Sequence, residues 1–389
     1  MRLPTRSFLA GLAASLLSCY TAHAERPQYQ IQDLGVVQSG DSASEAFGIS
    51  ISGAIVGRSI RTGGSQAFIW RNTTAMVGLP NLSGRSYCVA KAVLDDGTVV
   101  GSCATAASGS DRVPVIWRDG VVSQLALSPV QTSGEANAIT RRASIVGSVN
   151  AGNQERAAQF GSAGSSVLTG TTANGSYFVS ALGINDSPLL VGRGADPANP
   201  ARDVAIVYYL QSGVASEIPP LAGKNGGIAY ALSASGWIVG ASTVDRASPL
   251  PFISLPAGQP RAIPLPSGTT EGVAGAVNTS GSAVGTASGG TSLPFLYDGA
   301  VTYRLIDLIP SGSGWDLSSA VGISEAEVIA GTGVHNGAVR AFAMIGPKGI
   351  PPICAMCHKD FRTIYIPCES PERRRHLAHG DTLDSCVPL

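Results

Sequence analysis

Charge is scarce in this chain. Asp, Glu, Lys and Arg make up 13% of its 389 residues, and 26 basic side chains are matched by 26 acidic ones. A general nucleic-acid binder needs a cationic face to neutralise phosphates, and a chain without net charge supplies none. Aromatic residues reach only 6%. Histidine is rarer still: there are five, and only His335 lies outside the two chain ends. No stretch reaches the ~18 consecutive apolar residues expected of a membrane-spanning helix. The sequence has no Gly-x-Ser-x-Gly elbow, no P-loop and no His-Glu-x-x-His, so none of these motifs assigns a catalytic residue or implies a cofactor. What abounds is glycine, 48 of 389 residues, or about 12% against a usual ~7%. Apolar residues make up 44%, enough for a large core. Low charge with abundant small and β-branched residues points to many short strands and tight turns.

The first residues read as an export leader. Arg2 and Arg6 precede an apolar stretch from Phe8 to Leu17, and Ala22-His23-Ala24 forms a small-residue cleavage site before Glu25. A signal peptide is expected over residues 1–24. Leu16-Leu17-Ser18-Cys19 also resembles a bacterial lipobox, so two readings stand. Either the mature chain is free outside the cytoplasm, extracellular or periplasmic, or it is an outer-membrane lipoprotein held by a lipid on Cys19. Membrane attachment is expected only in the second case. Both place the remaining cysteines where disulfides form.

A phrase of small and apolar residues, a turn and then Val/Ile-Val-Gly or a close variant recurs seven times. Its marker glycines are Gly57, Gly101, Gly147, Gly192, Gly240, Gly285 and Gly331, spaced by 44, 46, 45, 48, 45 and 46 residues. After each hairpin comes an apolar strand, often closed by an aromatic, as in Ala67-Phe68-Ile69-Trp70 and Pro294-Phe295-Leu296-Tyr297, and then a fourth apolar stretch. Asp96-Gly97, Ser52-Gly53, Ser235-Gly236 and Ser280-Gly281 supply hairpin turns. Four short strands per ~45 residues, repeated radially, describe a propeller blade. The expectation is an all-β, seven-bladed β-propeller over residues 25–346. The seventh copy lacks its fourth strand, while an unpaired strand, Tyr29 to Gly35, precedes the first. Ile31 to Leu34 aligns with Leu305-Ile306-Asp307-Leu308, so the N-terminal strand is expected to complete the last blade and remove a free edge.

The phrase Ala-x-x-Ile, Gly-x-x-Val-Gly and Ala-Phe-x-Trp resembles the HAF repeats, the probable extracellular repeats of secreted bacterial proteins, over roughly residues 29 to 345. Ala46 to Trp70 is the best copy. The leading His of the name is absent, with Gln66-Ala67-Phe68 and Arg340-Ala341-Phe342 in its place, and copies three and four are degenerate. The resemblance implies an exported repeat protein and carries no agreed activity.

Within the propeller, His335 reads as a solvated loop residue between Gly333 and Gly337. Asp33 and Asp307 read as equivalent structural positions. Trp70 and Trp117 recur at one strand position and read as packing between blades, whereas Trp237 and Trp315 lie near turns and are the better ligand candidates. Cys88 and Cys103 fall opposite each other in one hairpin and are expected to form a disulfide.

After Gly346 the composition changes, and residues 347–389 read as a separate Cys/His-rich module too small to fold without a staple. Two disulfides among Cys354, Cys357, Cys368 and Cys386 would use every cysteine there. A metal site from Cys357, His358, His376, His379, Asp381 and Cys386 is a second reading. Cys354-Ala355-Met356-Cys357-His358 also fits the c-type haem signature, with His358 as axial ligand. Part of the segment, Cys357-His358-Lys359 and His376 through Cys386, resembles a short Cys-His tail of some secreted bacterial proteins, in which Cys354 need not be present. The leading expectation is a non-enzymatic scaffold that binds a surface glycan or protein. The alternative is an extracytoplasmic metal- or haem-binding protein or enzyme whose chemistry sits in the tail.

Overall fold

A computed structural model of the chain describes residues 26–347 apart from 73, together with 349, 353–358, 362–368, 373, 377–378 and 381–383. The expected leader and its Cys19 lie outside the described residues.

The propeller strands group into seven four-stranded antiparallel blades, five of them separate sheets and the first two joined into one eight-stranded sheet by a single parallel bridge between Ser65 and Tyr87. Blade one comprises β2 (Ala43–Ile49), β3 (Ile55–Arg61), β4 (Gly64–Arg71) and β5 (Thr74–Gly78), and blade two comprises β6 (Tyr87–Val93), β7 (Val99–Ala104), β8 (Val113–Arg118) and β9 (Val121–Gln124). Blade three holds β10 (Gln131–Ile139), β11 (Ile145–Ala151), β12 (Gln154–Gly161) and β13 (Gly164–Val167). Blade four holds β14 (Tyr177–Ile184), β15 (Leu189–Asp196), β16 (Asn199–Tyr209) and β17 (Val214–Glu217). Blade five has β18 (Gly226–Leu232), β19 (Ile238–Val244), β20 (Ala247–Ser254) and β21 (Arg261–Ala262), and blade six has β22 (Glu271–Val277), β23 (Ala283–Ser288), β24 (Ser292–Tyr297) and β25 (Thr302–Arg304). Blade seven is built from β26 (Trp315–Ile323), β27 (Ile329–His335) and β28 (Ala338–Ile345), with β1 (Gln30–Asp33) as its outer strand. The all-β, seven-bladed propeller expected from the repeat is what the chain forms.

The marker glycines have a common cause. In every blade the first two strands slip register by one residue, between Ala46 and Gly48 in blade one and at the equivalent Ala in the other six. Each slip is a β-bulge, an extra residue that bends the inner strand and turns its side chain. The bend drives a carbonyl, Glu45 O in blade one, against the marker glycine opposite. A Cβ on Gly57 would lie far inside van der Waals contact with that oxygen, and the same clash with the bulge carbonyl recurs at the other six. In four blades a Phe also stands directly opposite the glycine: Phe68, Phe252, Phe295 and Phe342. All four are fully buried between blades.

The N-terminal strand does complete the last blade, with Gln30 paired to Ile345 and Asp33 to Phe342. The alignment that suggested this is displaced by three residues. Leu34 donates its amide to Ala341 O just as Leu79 donates to Ala67 O, and the β24–β25 register then makes Leu305 its counterpart in blade six. Leu305–Leu308 is a 3₁₀ turn, not a strand. Asp33 is therefore equivalent to Arg304 and not to Asp307. Asp307 is instead paired to Arg304 across that turn at 2.8 Å. Blades seven and one pack together through Ala46, Ile55, Phe68, Val328 and Ala341, with Ser44 Oγ accepting the Ala341 amide at 3.0 Å.

In the tail, β29 (Ile353–His358) pairs with β30 (Arg362–Pro367) and with β31 (Thr382–Leu383). Cys354 and Cys368 form a disulfide across this small sheet, and Cys88 and Cys103 form another between β6 and β7.

Candidate functional site

The seven inner strands enclose a central channel of about 340 Å³, to which every blade contributes. The bulges decide what lines it. Just before each bulge stands an alanine, from Ala46 to Ala320, buried at the blade interface. Just after it stands Gly or Ala: Gly48, Ala92, Ala138, Gly183, Ala231, Ala276 and Gly322. Crowding explains this second set, since a Cβ on Gly48 would strike the Lys91 carbonyl and one on Gly322 would meet Ile49 Cγ2 at 2.6 Å. One position further comes an aliphatic tier of Ile, Val or Leu in every blade.

The bulged residues themselves share nothing. They are Phe47, Lys91, Asn137, Leu182, Tyr230, Gly275 and Val321, and all line the channel. One backbone device repeated seven times thus presents seven different side chains on a ring. Phe47 and Lys91 are neighbours, with the ammonium 5.0 Å from the ring centroid. Arg58 lies 5.6 Å from the same ring and is ion-paired to Glu45 at 2.6 Å. Burial, and then the charge of Asp203, push the Tyr230 phenol above its ordinary pKa, with Arg193 opposing. Asp203 is itself buried and faces Arg246 at 3.1 Å and Arg193 at 3.6 Å. Arg193 reaches back to Glu155 of blade three, so one chain of charges ties three blades together behind Tyr230.

The hairpin turns rim one mouth of the channel. Here Ser50, Thr140, Asn185, Ser233, Asn278 and Ser324 each accept the backbone amide four residues on, closing the turn. Contacts between blades run around the rim: Ser52 N to Asp95 at 2.9 Å, Arg141 to Asp186 at 2.8 Å, and Ser235 Oγ to Thr279 O at 2.9 Å. Such a hoop fixes the channel's bore.

Several residues singled out from sequence lie elsewhere. Trp315 is not an open platform: it is buried, stacks on His335 at 4.5 Å and meets Phe342 edge-on at 5.6 Å. His335 is not a free loop residue but ends β27, and its Nδ1 lies 2.7 Å from Asp33 Oδ2 on the closing strand. Trp237 is half-buried against the interface of blades five and six and does not line the channel. Trp70 and Trp117 pack between blades as expected, and Trp117 donates its indole N–H to Pro80 O at 2.7 Å.

Of the tail's metal candidates, the register sets Cys357 against Thr382, beside the buried Asp381. The side chains of Cys357 and His358 are not described, and His376, His379 and Cys386 lie outside the described residues. Among the described residues no three His, Cys, Asp or Glu are grouped to hold a metal. Cys354, paired with Cys368, has no thiol left for the thioether that the haem signature requires.

No family model matches the chain, and no curated protein does. Solved structures do. The selenomethionine-substituted virginiamycin B lyase of Staphylococcus aureus superposes with a TM-score of 0.50 at 11% identity, covering 82% of this chain and 99% of that one. YCF48 bound to D1 peptide gives 0.48 at 11%, covering 82% and 98%. The likeness is one of fold.

Proposed function

We propose that this is an exported, non-enzymatic binding propeller of the HAF-repeat type, which takes a group of a surface partner, glycan or protein, into its central channel. The observation that carries the reading is the ring of bulged residues. Neighbouring tiers are nearly uniform around the ring, because the backbone demands it. At the bulge the backbone leaves the side chain free, and there the seven copies diverge into aromatic, cationic, amide, aliphatic and bare positions. Differently placed polar and apolar groups around one concave wall, here with a polar mouth and an aliphatic tier behind it, are how binding sites orient a ligand. Two disulfides support an oxidising compartment, in keeping with the leader read from residues 1–24.

Plugging the channel tests the site. A Cβ on Gly275 meets nothing closer than the Ala320 carbonyl at 3.7 Å, so the backbone admits a side chain there and Gly275→Trp directs an indole into the bore. Labelled Gly275→Trp protein that folds but no longer binds envelopes of the export host supports the reading; undiminished binding refutes it. Intact mass of the exported protein, before and after reduction, should show loss of residues 1–24 and oxidised cysteine pairs. An unprocessed chain with reduced cysteines would remove export from the proposal.

A further inference from the structure

We infer that the group entering the channel is an amphipathic anion: one negative charge on an apolar body, held by Lys91. This rests on the channel reading above and names its chemistry. Lys91 is the only charged side chain among the seven bulged residues. Its neighbour Phe47 fixes the ammonium's direction by a cation–π contact at 5.0 Å, but an aromatic face supplies no counter-charge. Arg58, on the same Phe47 ring, has its carboxylate in Glu45, and Arg141, the other cation lining the channel, has its own in Asp186. Among the described residues Lys91 makes no ion pair. The channel's other charged side chains, Arg141, Asp186 and Glu325, sit on the hairpin turns at its mouth, where Arg141 pairs with Asp186 and Glu325 accepts from Thr279. At the level of the bulges the Lys91 ammonium therefore focuses its field on whatever enters.

The rest of the wall completes the description. Across the ring from Lys91 stand Leu182, Tyr230 and Val321, with Gly275 leaving a gap, and the aliphatic tier lies one step further along the axis. A small polar anion would gain the charge contact and leave these apolar side chains wet. An uncharged apolar molecule would leave Lys91 unanswered. A carboxylate or sulfonate on a hydrocarbon or aryl body satisfies both, and about 340 Å³ admits one such group.

The test uses the mature full-length protein and two dyes of similar shape, anionic 8-anilinonaphthalene-1-sulfonate and uncharged N-phenyl-1-naphthylamine. Fluorescence titration should give one anilinonaphthalenesulfonate site, blocked by Gly275→Trp. Lys91→Met should weaken the anionic dye by about tenfold, the order expected for a lost charged contact, and leave the neutral dye unchanged, while Lys91→Arg restores the difference. Should Lys91→Met fail to fold, as judged by near-ultraviolet circular dichroism, ionic strength substitutes: salt should weaken the anionic dye selectively in the wild type. If Gly275→Trp blocks both dyes but Lys91→Met and salt do not discriminate between them, the anion assignment is overturned and the channel stands. If both dyes bind despite the plug, the channel reading falls too. Displacement of envelope-bound protein by the anionic dye assigns the anion to the surface partner. Simultaneous binding assigns it to a free ligand, and either result supports the chemistry.

Discussion

Gly57 and Gly275 both sit on inner hairpins, yet the backbone needs only one of them. At Gly57 the Glu45 carbonyl occupies the space of a Cβ, and the Phe68 ring closes it from the other side. Gly57→Ala should cost ~3 kcal/mol or more, since overpacking a rigid interface costs about 1–3 kcal/mol even where side chains can adjust, and here backbone must move. Gly275→Ala, with open space around it, should lie within about 0.5 kcal/mol of wild type. Urea unfolding of the two variants measures the contrast, and equal effects would contradict the bulge explanation of the marker glycine. Glu217 gives a second prediction at this scale. Burial pushes its pKa up, but the hydroxyls of Ser176 and Thr172 and the Arg202 guanidinium outweigh burial and hold it below its ordinary value. A folded-state pKa below the unfolded one contributes stability above the unfolded value, lost as pH falls through the folded value. The acid limb of the stability–pH curve should therefore be shallower in Glu217→Gln than in the wild type. Identical limbs would show that the carboxylate is not held in this way.

Hairpins are the elements that carried the repeat into view, and what was legible in them follows from period. Strands alternating with Ser-Gly and Asp-Gly turns leave a pattern at fixed spacing, so blade number and the Cys88–Cys103 pair could be read directly. A bulge adds one residue within a strand and leaves that spacing unchanged, so the ring of Phe47, Lys91 and their counterparts carried no signal of its own. It shows only once the copies are stacked and the single divergent column is noticed. The surroundings of His335 and Trp315 are not legible in the sequence because their partners, Asp33 and Phe342, come from a strand at the other end of the chain and from the next strand but one of the blade. Cys88 and Cys103 stand directly opposite each other, both fully buried. Closing a loop of this length should contribute about 3 kcal/mol. Replacing both by alanine should lower stability by that order, most of it in blade two, where hydrogen exchange would quicken first. Exchange quickening evenly around the ring would mean that the blades do not open separately.

For the molecule as a whole, the seam in blade seven is, among the described residues, the one place where the two ends of the propeller sequence are joined by strand pairing. His335 bridges it, gripping Asp33 while stacked on Trp315. His335→Ala should cost about 1 kcal/mol, as for a lost side-chain hydrogen bond, together with whatever stacking it forfeits. The fraction of protein cleaved near residue 30 by dilute protease should rise with it; an unaltered cleavage rate would place the weak point elsewhere. Synthesis runs from one end, so β1 emerges first and must wait for β28, the last propeller strand made. Six blades can form as their residues arrive, but the seventh cannot be finished before the final repeat exists. A chain cut short anywhere in that repeat leaves β1 with no neighbour and the interface of Ala46, Ile55 and Phe68 without its cover. The seam thereby audits the length of the product: only a full count of repeats seals it, and incomplete copies advertise themselves to proteases by an open edge.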